Sequence, residues 1–219
     1  MNDSDLELAQ LLCTRLCHDL AGPIGAVAAG VELIGDDPAM ADAETIGLIG
    51  DSSNAASRKL KFLRAALGLT QNSNGDLQGL VDGYIAATAG PGGRIDVTWP
   101  PSAALEKASR LFGANWMQTL LNVCLLALET QPGCRSLALA LETDGPLVVK
   151  LTARTANGRA PNVREDLRAA AVAGSNEGLS AKNIQAYLAG RMVRAAGGAL
   201  LISPLADGIE VRVDVPAVP

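Results

Sequence analysis

The 219 residues, 48% hydrophobic and 19% charged, carry enough apolar side chains for one sizeable core or two small ones, which excludes disorder as the resting state. Aromatic residues make up only 3% against abundant Ala, Leu and Gly, so close-packed helices are favoured over a sandwich built on large rings. A formal charge of −5 opposes nonspecific nucleic-acid binding, no apolar run reaches the ~20 residues that span a bilayer, and the start Met1-Asn2-Asp3-Ser4-Asp5 lacks the basic residues of a secretory signal, so a cytoplasmic protein is expected, off the membrane and with no nucleic-acid partner.

Ser4 followed by Glu7 forms a capping box, and a helix is expected to begin there. Apolar residues then fall at Leu6, Ala9, Cys13, Leu16, Leu20, Ile24, Val27, Val31 and Ile34, in steps of three and four that make a coiled-coil-like seam. Gly35-Asp36-Asp37-Pro38 stops this helix, and Asp37 as cap with Pro38 in the first turn starts the next. A second seam reads Ile46, Ile49, Ser53, Ala56, Leu60, Leu63 and Leu67. The short connection makes the two helices antiparallel neighbours. A lone hairpin with narrow seams buries too little surface, so two copies are expected to pair as a homodimer around a four-helix bundle.

The polar stretch Gln71-Asn72-Ser73-Asn74-Gly75-Asp76 reads as a linker, dividing the chain into a hairpin over residues 1–70 and a second domain over 77–219. In that domain helices are expected over 77–87, 112–130, 162–173 and 181–196. Strands are expected over 94–99, 136–143, 147–155, 199–203 and 208–215. The pattern predicts an α+β fold, a two-layer α/β sandwich with helices on one face of a largely antiparallel sheet. Cys13, Cys17, Cys124 and Cys134 sit in or beside apolar segments and are expected as buried free thiols. A metal site would need Cys13, Cys17 and His18 together, and helical spacing sends the thiols and the imidazole to different faces, so none is expected.

His18 is the only histidine. It lies two residues from both Leu16 and Leu20, ~200° around the helix from the seam, and so faces solvent. Asp19 can orient the ring or keep one nitrogen protonated, leaving the other nucleophilic; on composition alone it is an exposed helix acid. Gly22 and Gly25 each cost roughly 1 kcal/mol of helix stability relative to Ala. A bare patch for another protein's backbone would compensate, with tight packing on a neighbouring helix as the alternative, nearly as strong at Gly25 and weaker at Gly22. Pro23 is expected to kink the helix one turn past His18. Counting from Asp37 sets His18 level with Ala55 to Arg58, beside the basic run Arg58, Lys59, Lys61 and Arg64. Arg58 and Lys61, with Arg15, Gly22 and Pro23, are candidates for contact with a phosphoryl group or a docking protein, against the alternative of a solvated basic face.

His18-Asp19-Leu20-Ala21-Gly22-Pro23, an HDxxxP pattern, resembles the phosphoacceptor box of sensor histidine kinases. The longer stretch from Arg15 to Leu20, with Gly22-Pro23-Ile24-Gly25-Ala26, is more similar to ChpT-type histidine phosphotransferases, dimeric relay proteins of alphaproteobacteria. The resemblance implies a dimerisation and phosphotransfer bundle followed by a domain shaped like a histidine kinase ATP-binding domain. Three kinase motifs are degenerate. Where NLxxNA holds Mg²⁺, the chain has Asn122-Val123-Cys124-Leu125-Leu126-Ala127, with Leu126 at the ligand position. DxGxG becomes Arg154-Thr155-Ala156-Asn157-Gly158-Arg159, and the GxGLGL lid becomes Asn176-Glu177-Gly178-Leu179-Ser180, with Glu177 set to repel phosphate.

The resemblance therefore implies an ATP-independent phosphotransferase, with His18 and Asp19 catalytic, that relays a phosphoryl group between receiver-domain aspartates through phosphohistidine. It implies no cofactor on this chain, Mg²⁺ residing in the partner, and as partners the receiver domains of a hybrid histidine kinase and of response regulators. An ATP-dependent kinase with a divergent pocket and a noncatalytic dimeric adaptor for response regulators are the alternatives.

Overall fold

The computed structural model describes residues 3–68, 76–89, 93–156 and 163–216. Helix α1 runs from Asp3 to Asp36 and α2 from Ala43 to Leu67, antiparallel as the short connection requires. The side chain of Ser4, where a cap is expected, lies outside the described ones. Asp37 and Pro38 open a single 3-10 turn, Pro38–Met40, in which Asp37 Oδ1 accepts from the Ala39 amide at 3.0 Å. They do not open the second helix. Asp42 does, its Oδ1 accepting from the Thr45 amide at 2.8 Å. The reversal is thus centred beyond Asp37, and the helix pairing moves with it. An added Cβ at Gly30 would lie 2.5 Å from Ile49 Cγ1, and Lys59 Nζ reaches the Asp19 carbonyl at 3.4 Å. His18 is accordingly level with Lys59 and its neighbours, about one turn past the expected Ala55 to Arg58.

Each expected seam divides between two faces. On α1, Leu16 and Leu20 join Leu8, Leu11 and Leu12 against the core, while Leu6, Ile24 and Val31 are 45%, 54% and 57% exposed. On α2, Phe62, Leu63 and Ala66 are buried and Ile46 and Leu60 are 56% and 50% exposed. Cys13 and Cys17 fall on the outer side of α1 and are exposed, contrary to expectation; Cys124 and Cys134 are buried. One described helix, α1 over Asp5–Asp36, is long and apolar enough by mean hydropathy (1.2) to cross a bilayer. It packs along α2 and carries Arg15, His18 and Asp19 at mid-length, the pattern of a bundle helix.

The second half is α+β. After α3 (Leu77–Thr88), capped by Asp76, come β1 (Asp96–Thr98), α4 (Ser102–Phe112), α5 (Trp116–Thr130), β2 (Cys134–Glu142) and β3 (Leu147–Thr155). Helices α6 (Glu165–Val172) and α7 (Ile184–Ala195) and strands β4 (Ala199–Pro204) and β5 (Gly208–Val215) complete it. The sheet order is β1-β2-β3-β5-β4, with β1 parallel to β2 and the other pairs antiparallel. Leu151 and Ala153 on β3 and Ile209, Val211 and Val213 on β5 are buried, while Lys150, Thr152, Glu210 and Arg212 alternate with them toward the wetter side. One covered face and one wet face make the two layers. Helix α4 was not expected, although Pro100-Pro101 before it and Gly113 after it are the usual brackets. Gly113 takes φ 93, a conformation suited to glycine, and the chain turns by 110° into α5. Most of the expected linker (71–75) and residues 157–159 of the DxGxG counterpart lie outside the described residues.

Helix α5 joins the halves. Asn122 is fully buried; its Nδ2 donates to the Ala66 carbonyl at 2.7 Å and the Gln118 carbonyl at 2.8 Å, and its Oδ1 accepts from Gln185 Nε2 at 2.8 Å. One amide therefore ties α2, α5 and α7. Replacing Asn122 with Leu leaves Gln185 and the Ala66 carbonyl buried with fewer partners, and is expected to destabilise the protein by about 2–4 kcal/mol in urea denaturation.

Candidate functional site

Helix α1 presents His18 outward at mid-length, its side chain 85% exposed. Helical geometry turns the next residue inward: Asp19 is only 11% exposed, with Oδ1 3.5 Å from His18 Nδ1. Asp19 Oδ2 accepts from Arg15 Nε at 2.9 Å, and Arg15 Nη2 pairs in turn with Glu129 Oε1 near the end of α5. Lys59, half-buried on α2, donates to the Asp19 carbonyl. A line of polar contacts thus leads from the exposed imidazole through the hairpin into the second half of the chain.

Burial sets the electrostatics. It pushes the Glu129 carboxyl up to about 7, against the downward pull of Arg15. Burial works to lower Arg15, but Glu129 and Asp19 outweigh it and the guanidinium stays charged. The Tyr84 hydroxyl on α3 is pushed up by burial, then by Asp19 and Glu129, and stays neutral. Among the described residues, no group of three His, Cys, Asp or Glu side chains is placed to hold a metal ion.

Chemically, an exposed imidazole with one nitrogen beside an anchored carboxylate is a polarised nucleophile. Asp19 favours the tautomer protonated on Nδ1, which leaves the lone pair on Nε2.

Of the residues singled out in the sequence, His18, Asp19 and Arg15 come together, and Arg15 faces inward to the two carboxylates. Gly22 and Gly25 lie exposed beyond them, and a side chain at either would meet nothing within 4 Å, so Gly25 shows no close packing inside this chain. Helix α1 continues through the half-buried Pro23 to Asp36. Arg58 is exposed with its stem toward Gly83 of α3, and Lys61 is exposed on α2. Two members of the network escaped sequence reasoning. Lys59 stood in the basic run without distinction. Glu129 had a detectable signal, as the one charged residue of α5.

The ion pair makes a pH-dependent expectation. The Glu129 value is raised from its ordinary 4.5, so the stabilisation linked to its proton is present at low pH and is lost as pH rises through about 7. Without Arg15 the carboxyl rises further, so above that range the variant must either keep a proton that solvent no longer readily supplies or bury an unpaired charge, and below it neither cost applies. Arg15→Ala is expected to lose about 3 kcal/mol at pH 8 and clearly less at pH 6, measured by urea denaturation at both values.

Comparison with known proteins places the chain in a family. A profile of the histidine phosphotransferase C-terminal domain matches residues 74–208. The protein phosphotransferase ChpT of Brucella abortus (strain 2308) is 31% identical over 214 residues, which cover 94% of each chain. A solved bacterial phosphotransferase superposes with a TM-score of 0.72 at 27% identity, covering 97% of this chain and 98% of its own. The histidine kinase domain of the blue-light activated kinase of Erythrobacter litoralis EL346 aligns at 16% identity and a TM-score of 0.42, over 99% and 95% of the two chains. With the profile spanning more than half the chain and the Brucella relative matched along nearly all of it, the chain belongs to the ChpT-type histidine phosphotransferases and performs histidine phosphotransfer in a phosphorelay.

Proposed function

We propose that His18 is the phosphoacceptor and that the chain exchanges the group with receiver-domain aspartates without using ATP. The observation that carries this is the pairing of an 85% exposed imidazole with a carboxylate that is 11% exposed and anchored. His18 Nε2 attacks the phosphorus of a receiver's aspartyl phosphate, the new P–N bond forms as the P–O bond to the aspartate breaks, and the electron pair leaves on that carboxylate. The proton stays on Nδ1, shared with Asp19. Reversal of the same step delivers the group to a second receiver. Catalysis on this side is in-line positioning and charge neutralisation; any Mg²⁺ belongs to the receiver.

Gly22, with open space where a side chain would be, leaves room for a receiver's backbone one turn beyond the imidazole. Arg58 and Lys61 are exposed on the helix alongside and suit an acidic partner. Independence from ATP is supported by Leu126, which is apolar and fully buried, and by Asn122, whose amide is committed to the core. The receivers of an upstream hybrid kinase and of downstream response regulators are the proposed partners, in the cytoplasm.

A second copy of this chain is the proposed cover for the apolar residues left open along the hairpin, Ile24, Val31, Ile46 and Leu60 among them. Pairing two hairpins makes a four-helix bundle. In sedimentation at micromolar concentration the protein is expected as a dimer, and the double variant Ile24→Glu, Leu60→Glu as a monomer; a monomeric wild type overturns the pairing.

Incubated with a phosphorylated receiver domain, the protein is expected to take up label at His18, and His18→Ala to take up none. Label that stays on the receiver, or that reaches His18→Ala equally, refutes the assignment. A melting temperature raised by Mg·ATP would favour a kinase instead.

A further inference from the structure

We infer that Glu129 is a positioning residue for phosphotransfer: from α5 it anchors Arg15, and through Arg15 it holds Asp19 beside His18 while offsetting one positive charge of the cluster. The inference rests on His18 being the phosphoacceptor.

Arg15 is clamped between two carboxylates contributed by distant parts of the chain. Its Nε serves Asp19 and its Nη2 serves Glu129, and all three side chains are less than one-fifth exposed. A planar guanidinium held at two of its nitrogens by two separate carboxylates cannot rotate without breaking one contact. The Asp19 carboxylate is thereby fixed in the place that leaves Oδ1 toward His18 Nδ1. Were Glu129 absent, Arg15 would remain beside Asp19 as a neutral pair tethered on one side only.

Charge makes the difference chemical as well as steric. With Lys59 counted, two cations and two carboxylates balance, whereas Arg15, Lys59 and Asp19 without Glu129 are net positive. As Nε2 bonds to phosphorus with Nδ1 still protonated, positive charge develops on the ring. A preorganised, balanced cluster with a carboxylate at the ring accommodates that charge, and a net positive one opposes it. The groups facing Glu129 are Arg15 and Asp19 from α1 and Tyr84 from α3, with Lys59 of α2 reaching the Asp19 carbonyl. Because burial raises Glu129 to about 7, that balancing charge itself comes and goes within the neutral range. The second half of the chain, which carries Glu129, thereby acts on the reactivity of a histidine in the first.

The test uses the full-length protein and phosphoramidate as a small phosphodonor, so that receiver docking plays no part. Phosphorylation rates of wild type, Glu129→Gln and Glu129→Asp are compared from pH 6 to pH 8. The donor's own pH dependence cancels in the ratios. The wild type is expected to match Glu129→Gln at pH 6 and exceed it roughly tenfold at pH 8, a modest share of what full acid–base assistance contributes. Glu129→Asp is expected to recover part of that loss. Since His18 is the sole imidazole, ¹⁵N NMR reads its tautomer directly, with Nδ1–H favoured in wild type at pH 8 and a mixture in Glu129→Gln. A rate ratio constant with pH, a Glu129→Asp as slow as Glu129→Gln, or an unchanged tautomer overturns the inference. Should Glu129→Gln not fold, the wild-type tautomer followed over the same range decides: a shift toward Nδ1–H supports it, a constant ratio overturns it. Phosphorylation of His18→Ala at the wild-type rate refutes the phosphoacceptor assignment instead, whatever Glu129 does.

Discussion

An acid near the end of an otherwise uncharged helix is an expense that the interior tolerates only if a cation reaches it. Glu129 is that acid, and Arg15, more than a hundred residues earlier, is the cation. Their pairing has consequences in both directions. It sets how α1 lies against the second half of the chain, because the guanidinium must arrive at the end of α5. It also grips from a second side the guanidinium that Asp19 already meets one turn along α1, so a line of contacts runs from a buried charge to the carboxylate beside the exposed His18 ring.

The hairpin divides its apolar residues between two tasks. Leu8, Leu11, Leu12, Leu16 and Leu20 continue the core of the chain, whereas Ile24, Val31, Ile46 and Leu60 remain open. His18 falls near the boundary between the core-packed half of α1 and the half with exposed apolar side chains. At this level the helix is held by ion pairs and the neighbouring surface is bare, a combination that leaves the imidazole on an anchored stretch of helix with space before it.

The second half keeps a layered scaffold while reassigning the polar groups within it. Asn122, in the motif that would bind metal in a kinase, spends its amide on the end of α2 and on Gln185 of α7. Leu126 is fully buried in the core one helical turn further along α5. A buried amide with three satisfied contacts contributes most by what its removal would leave unpaired.

Much was legible in the sequence because it depends on local periodicity. Leu147–Thr155 and Gly208–Val215 emerged as strands at the residues expected, since alternation with period two specifies which side chains turn inward. The exposure of His18 followed from its angle to Leu16 and Leu20. What periodicity cannot express is where two distant segments meet. It merged the inner and outer stripes of α1 into one seam, because three-and-four spacing fits both, and it put Cys13 and Cys17 inside. It ran Asp37 and Pro38 straight into α2, since a cap looks the same before a 3-10 turn as before a helix, and this displaced the helix pairing by about a turn. The partner of Arg15 was decided only by tertiary structure. The sequence by itself determined that a histidine with an acid beside it stands on an open helix face; the packing of α5 on α2 decided that a buried carboxylate from the other half of the chain meets the arginine that pairs with that acid.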